Sequence, residues 1–107
     1  MKVAKLLSST DTSGNDLGDL VWIWCPGCES YHTPRVRAGI DGDPNGNSVW
    51  TWNGNEEKPT INPSILVWCD NPDIRCHSFV RDGNIQFLPD CGHKLKGQTV
   101  PLPEIDL

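Results

Sequence analysis

Basic residues are scarce in this chain. Nine lysines and arginines stand against fourteen aspartates and glutamates, a formal net charge of −5. The nine are scattered, so no positive stripe is available to follow a phosphate backbone, and a nucleic-acid partner is excluded. Long hydrophobic runs are also missing. No stretch approaches the ~20 residues of a membrane-spanning helix, so no membrane association of that kind is expected. Leu6-Leu7 is followed at once by Ser8, Ser9, Thr10 and Asp11, so Lys2 and Lys5 do not open a secretion signal. A cytoplasmic location, where thiols stay reduced, is therefore expected. Sustained helical periodicity, internal repeats and low-complexity segments are absent too, which removes helical bundles and solenoids from consideration.

What is present points to a small, loop-rich β protein. The 107 residues suit one domain, 1–107, with its core expected within about 20–102. Hydrophobic residues make up 36%, while ten glycines and nine prolines punctuate the chain. The expected architecture is mainly β: an antiparallel sheet or sandwich built from hairpins, with little or no helix, stapled by a zinc site because the core is small. Val3–Leu7 reads as an edge strand and Ser8–Asp19 as a polar loop. Leu20–Trp24 reads as a buried strand, apolar on both faces, with Tyr31–Val36 returning beside it. Gly39–Ser48 is a turn-rich loop with a superficial likeness to a calcium loop. It lacks the closing glutamate and flanking helices of an EF-hand, so calcium is not expected there. Val49–Asn53 reads as a strand with Trp50 and Trp52 on one face. Pro59–Ser64 is a rigid extended segment, Ile65–Cys69 a strand, Asp70–Asp73 a turn and Val100–Pro103 an extended tail.

Cys25-Pro-Gly-Cys28 carries the strongest chemical signal. A Cys-x-x-Cys turn presents two thiolates at the spacing of two tetrahedral zinc ligands, with Zn–S near ~2.3 Å. The redox reading of the same motif expects a helix after the second cysteine. Here Glu29-Ser-Tyr-His-Thr-Pro34 follows, which is extended. The remaining ligands are expected from Cys76-His77 and Cys91-Gly-His93. A closed structural site of Cys25, Cys28, Cys76 and Cys91 holding one Zn²⁺ is the favoured set. His77 and His93 are alternates, in a mixed site such as Cys25, Cys28, Cys91 and His93 or in a three-ligand site with bound water. Cys69 is then the unpaired fifth cysteine, a buried small hydrophobe.

Asp82-Gly83 is the clearest hairpin turn in the sequence. Counting out from it pairs Val80 with Ile85, Phe79 with Gln86, Ser78 with Phe87 and His77 with Leu88. Alternation then puts Cys76, Ser78 and Val80 on one face and His77, Phe79 and, by extension, Asp90 on the other, with His93 near by. Cys91 returns to the face of Cys76. A carboxylate beside an imidazole is the arrangement of a general base, and a nucleophilic site further requires a hydroxyl. Ser64 and Ser78 are the candidates, and Ser78 falls on the wrong face unless a bulge intervenes. His32 reads as a neighbour of the metal site or as exposed, and the tryptophans as core, with Trp50 and Trp52 as an alternative binding strip.

These motifs together, Cys25-Pro-Gly-Cys28, Trp50-x-Trp52-Asn53-Gly54, Pro59-Thr60-x-x-Pro63-Ser64-Ile65 and the run from Cys76-His77-Ser78-Phe79 through Asp90-Cys91-x-His93, resemble a small family of proteins encoded by tailed phages and prophages. A related version accompanies bacterial operons for ubiquitin-like protein conjugation as a peptidase-like component. The resemblance implies a compact metal-associated β domain of hydrolase ancestry, residing in the host cytoplasm if phage-encoded, with His77, Ser78, Asp90 and His93 as the polar positions to suspect. Two functions are therefore expected to compete. One is a peptidase or isopeptidase acting on a protein tail. The other is a zinc-stapled module that binds a host protein without catalysis, through the acidic loop Asp41–Asn47 or the Trp50/Trp52 strip.

Overall fold

The computed structural model describes residues 1–39, 49–69 and 73–107. The calcium-like and acidic loop, beyond Gly39, and the Asp70–Asp73 turn, up to Asp73, lie outside the described residues. The described residues form nine strands and no helix. They are β1 (Ala4–Thr10), β2 (Asp16–Cys25), β3 (Ser30–His32), β4 (Arg35–Ala38), β5 (Thr51–Trp52), β6 (Ile61–Trp68), β7 (Arg75–Arg81), β8 (Asn84–Phe87) and β9 (Thr99–Pro101). Two antiparallel sheets result. In the first, β2 pairs with β1 on one side and with β3 and β4 on the other. The second has the order β5-β6-β7-β8-β9.

The inward faces of both sheets meet in one core. Ala4, Val21, Ile23, Ile61, Val80 and Ile85 are fully enclosed, and Ile65 and Phe87 nearly so. Each of these valine, isoleucine and phenylalanine side chains stabilises the fold by about 1.5–3 kcal/mol through burial. Along β2, Val21, Ile23 and Cys25 point inward while Leu20, Trp22 and Trp24 are half-buried. The strand therefore alternates, where a strand apolar on both faces was expected. Tyr31 packs edge-on against both tryptophans, with ring centroids 5.4 and 4.9 Å away, which turns their apolar surface into an outer layer.

The polar segment Ser8–Asp19 is not a loop throughout. Ser8 pairs with Asp19 and Ser9 with Gly18, leaving a short turn. Asp11 fixes that turn by accepting hydrogen bonds from the backbone N–H groups of Ser13 and Asn15. Arg37 on β4 braces the other side with bonds of 2.7–3.0 Å to Asp16 and Asp19. Solvent-facing strand positions need no hydrophobic residue, so polarity alone misplaced this hairpin. The tail is likewise a strand: β9 pairs with β8, and Pro101 is tolerated because β9 is an edge.

The Asp82-Gly83 hairpin has the expected register: Ser78 opposite Phe87, Phe79 opposite Gln86 and Val80 opposite Ile85. Both turn residues adopt positive φ, 50° and 81°, as a type I′ turn requires. β6 contains the irregularity that matters most. Ile61 pairs with Val80 and Ile65 with Ser78. Four residues thus separate these pairs on β6 and only two on β7, so Asn62-Pro63-Ser64 bulges outward. Pro63, which has no N–H to offer a ladder, sits in that bulge.

Candidate active site and cysteine cluster

The outward face of β6 and β7 assembles three residues. Ser64 leaves the bulge on the face opposite the buried Ile65. His77 projects from β7 on that same face, across from Leu66. Asp90 follows β8 in a turn closed by the hydrogen bond from Cys91 N to Leu88 O. Ser64 Oγ lies 2.9 Å from His77 Nε2. His77 Nδ1 lies 3.2 Å from Asp90 Oδ2. With Nδ1–H donating to the carboxylate, Nε2 is left as the acceptor for the serine O–H, the tautomer that a Ser-His-Asp relay needs. The chain order Ser64, His77, Asp90 differs from the three orders in which this constellation recurs on unrelated folds.

Surrounding groups hold these residues in place. Trp50 Nε1–H donates to Ser64 O at 3.2 Å, tying down the bulge. Arg75 Nη1 reaches Asp90 Oδ2 at 3.4 Å. Partial burial pushes the Asp90 carboxyl upward, but the hydrogen bond and charge of His77, with Arg75, outweigh it and hold Asp90 below the ordinary carboxylate value. The site is open: side-chain exposure is 26% at His77 and 42% at Asp90.

Ser78 is placed elsewhere. It is fully buried on the core face opposite Phe87, and its hydroxyl has no hydrogen-bond partner. His93 also lies apart from Ser64, with its Nε2 3.4 Å from Cys76 Sγ. Trp50 and Trp52 are half-buried against the core, which disfavours a binding strip there. The most exposed tryptophan is Trp68, at 55%.

Behind the triad, on the inner face, lies the cysteine cluster. Cys25, Cys28, His32 and Cys76 bring their ligand atoms within 4.8 Å of one another, and Cys76, Cys91 and His93 form an overlapping group. The four cysteines expected as one set thus divide between two groups that share Cys76, and His32 joins Cys25, Cys28 and Cys76. His77 belongs to neither group. Sequence reading left His32 as a neighbour of the site or exposed, yet it is only 5% exposed, and neither ring nitrogen has a hydrogen-bond partner. A buried imidazole without partners, facing thiols, fits a metal ligand better than a packing residue. The sequence signal was the short spacing Cys25, Cys28, His32.

Cys25 Sγ and Cys76 Sγ are 3.9 Å apart, and Cys28 N–H donates to Cys25 Sγ at 3.3 Å. The Cys25 thiol is held well below its ordinary value, first by the hydrogen bond from Cys76, with burial opposing and His32 assisting. Cys76 is pushed up by that same bond and by burial. Burial lowers the His93 imidazole from its ordinary value, with the nearby Cys25 opposing. His93 stacks edge-on against Phe87, with centroids 4.5 Å apart, and lies over Gly27, where a Cβ would come within 2.3 Å of its ring. A side chain at Gly27 would therefore have to push the His93 ring aside.

Cys69 corrects the expectation of a lone fifth thiol. It is joined to Cys28 in a disulfide, with Cα atoms 5.1 Å apart. Cys69 continues the inward parity of Ile65 and Val67, which carries it beneath the knuckle. Cys25, Cys76 and Cys91 are free. The donor set of thiols and imidazoles suits Zn²⁺, with Cys28 available to a metal once its disulfide is reduced.

The two sites share a frame. In Cys76-His77 and in Asp90-Cys91, one residue faces the cluster and its neighbour faces the triad. Cys91 Sγ accepts from His77 N at 3.2 Å and lies 3.2 Å from His77 O.

A family model described as bacterial ubiquitination-like system serine protease (BubE) matches residues 3–88. The chain belongs to the BubE family. The match contains Ser64 and His77 and ends just short of Asp90. No curated protein and no solved structure matches the chain. No helix among the described residues is long and apolar enough to cross a membrane.

Proposed function

We propose that this chain is a serine peptidase acting in the cytoplasm on the extended tail of a protein substrate, and that this substrate is a ubiquitin-like protein, a choice supported by the ubiquitination-like system in its family's description. The contact of Ser64 Oγ with His77 Nε2, backed by Asp90 on Nδ1, carries the reading. Ser64 Oγ attacks the scissile carbonyl while His77 Nε2 takes its proton. Asp90 holds the ring in the competent tautomer and stabilises the imidazolium. His77 then gives the proton to the departing amine. A water, activated by the same imidazole, hydrolyses the acyl-enzyme and regenerates Ser64. Asp90 and His77 do this work from a frame that the cysteine cluster holds from behind. In the reduced chain, Cys25, Cys28, His32 and Cys76 would bind one structural Zn²⁺, which when bound supplies cross-linking of β2 to β7 rather than chemistry at the scissile bond.

The test is cleavage of a ubiquitin-like protein carrying a C-terminal peptide extension, followed by mass spectrometry. Parent protein is expected to release the extension, while Ser64→Ala and His77→Ala fold normally and release none. A non-enzymatic host-binding module remains the reading to adopt if the parent and both variants leave the substrate equally intact.

A further inference from the structure

Among the described residues, β6 has an open edge beside the nucleophile. β5 covers only its start, pairing Thr51 with Asn62 and Trp52 with Ile61. Among the described residues, no strand pairs with Ser64–Trp68 on the side away from β7. The direction of the backbone groups there follows from the ladder. Cys69 N–H donates to Ile74 O, so this pair is hydrogen-bonded. Alternation then turns Val67 and Ile65 toward β7, and Leu66 and Trp68 outward to the open edge. Ser64 O points outward too, and Trp50 Nε1 occupies it. Among the described residues, the N–H and C=O of Leu66 and Trp68 are left as an unused ladder of two rungs. Their side chains add a second observation. Leu66 and Trp68 are 53% and 55% exposed, and they share the face of Ser64 and His77. An exposed leucine and tryptophan in line with a nucleophile, on an edge that no described strand covers, form a surface that folded proteins ordinarily avoid unless a chain binds there.

We propose that the substrate tail docks as an additional antiparallel strand on this edge. It exchanges backbone hydrogen bonds with Leu66 and Trp68, presents apolar side chains at alternate positions to theirs, and places its scissile carbonyl at Ser64. The proposal rests on the peptidase reading and specifies its substrate: an extended, unfolded tail with apolar residues two apart on the amino side of the cleaved bond. Backbone pairing supplies affinity without regard to sequence, and the two side chains select. The alternative occupant of such an edge is a second copy of this chain, which the experiment separates.

The probe is an acetylated hexapeptide with leucine and serine alternating, closed by an aminocoumarin amide. Two further versions carry N-methyl groups, one on the leucines whose amides would face β6 and one on the intervening serines. Methylation of the facing amides is expected to lower kcat/KM by about tenfold or more for each bond lost, and methylation of the others to change it little. Hydrogen exchange on the Ser64→Ala chain reads docking without catalysis. Saturating peptide is expected to slow exchange at the Leu66 and Trp68 amides, while Ile65 and Val67, already bonded to β7, change little. Equal effects of the two methylation patterns, or no protection at Leu66 and Trp68, overturn the docking mode. Protection that appears without peptide and grows with protein concentration assigns the edge to a second copy and also overturns it. If the parent chain fails to turn over any substrate while Leu66 and Trp68 are still protected by peptide, the peptidase reading falls and the docking edge stands.

Discussion

Replacing Asp90 by asparagine tests the relay with the least disturbance to the fold. Asp90 Oδ2 accepts from His77 Nδ1 at 3.2 Å in a side chain 42% exposed. An asparagine of the same shape can offer its amide N–H₂ to Nδ1. That stabilises the tautomer protonated on Nε2, which cannot take the Ser64 proton. In a fully enclosed relay the corresponding exchange costs about 10⁴ in kcat. Solvent reaches Asp90 here and screens its charge, so the expected loss is smaller, about a hundred- to a thousandfold, with KM nearly unchanged. Ser64→Ala and His77→Ala are expected to lose more, since each removes a group that bonds to or takes a proton from the reacting atoms. The assay is steady-state hydrolysis of a p-nitrophenyl ester, read beside a thermal melt. Tm should move by no more than about 2 °C, because the substitution is at the surface and keeps its volume. Unchanged kcat in Asp90→Asn, or an activity loss accompanied by an equal loss of folded protein, would refute the assignment.

Other predictions concern the supporting frame. Gly27→Ala should lower Tm by about 5–15 °C, because the new Cβ displaces the His93 ring from its place against Phe87; an unchanged melt would show that the ring moves freely. Native mass spectrometry of protein kept under reductant should find one zinc per chain, lost on Cys25→Ser and weakened on His32→Ala. Its removal by a chelator should lower Tm and esterase activity together, since Cys91 holds the His77 backbone. Stable, fully active metal-free protein would disprove the staple. The hydrogen bonds of Arg37, aided by Gly18 N–H, lower Asp16 to about 2. Because the folded value lies below the ordinary one, the stabilisation is present above about pH 4 and is lost as pH falls toward 2. Carboxylate titration by NMR should show this, and Arg37→Gln should return Asp16 toward its ordinary value.

The legibility of this fold in its sequence varied with the kind of signal. Asp82-Gly83 fixed a two-residue turn, and the register from Val80–Ile85 to Ser78–Phe87 followed by counting. The same counting separated His77 from Ser78 and left Ser64 as the hydroxyl on the right face. It did not show the two-residue bulge at Asn62–Ser64, because a bulge answers to pairing across strands and not to the composition of either one. The β1–β2 hairpin escaped because its solvent faces carry Ser8, Asp16 and Asp19, which resemble loop residues when neighbours in space are unknown. β9 escaped because Pro101 reads as a strand breaker, although an edge tolerates it. At the cysteine cluster the knuckle was plain from Cys25 and Cys28. His32 and the Cys28–Cys69 pairing were not, since both depend on which way β3 and the end of β6 face once the two sheets close on each other.

The most direct measurement is the site of reaction with a fluorophosphonate, which modifies only an activated serine. Intact-mass and peptide analysis should show a single adduct on Ser64, absent in His77→Ala and much slower in Asp90→Asn. No adduct on folded protein, or an adduct that persists without His77, would contradict the account that Ser64, His77 and Asp90 act as one catalytic unit.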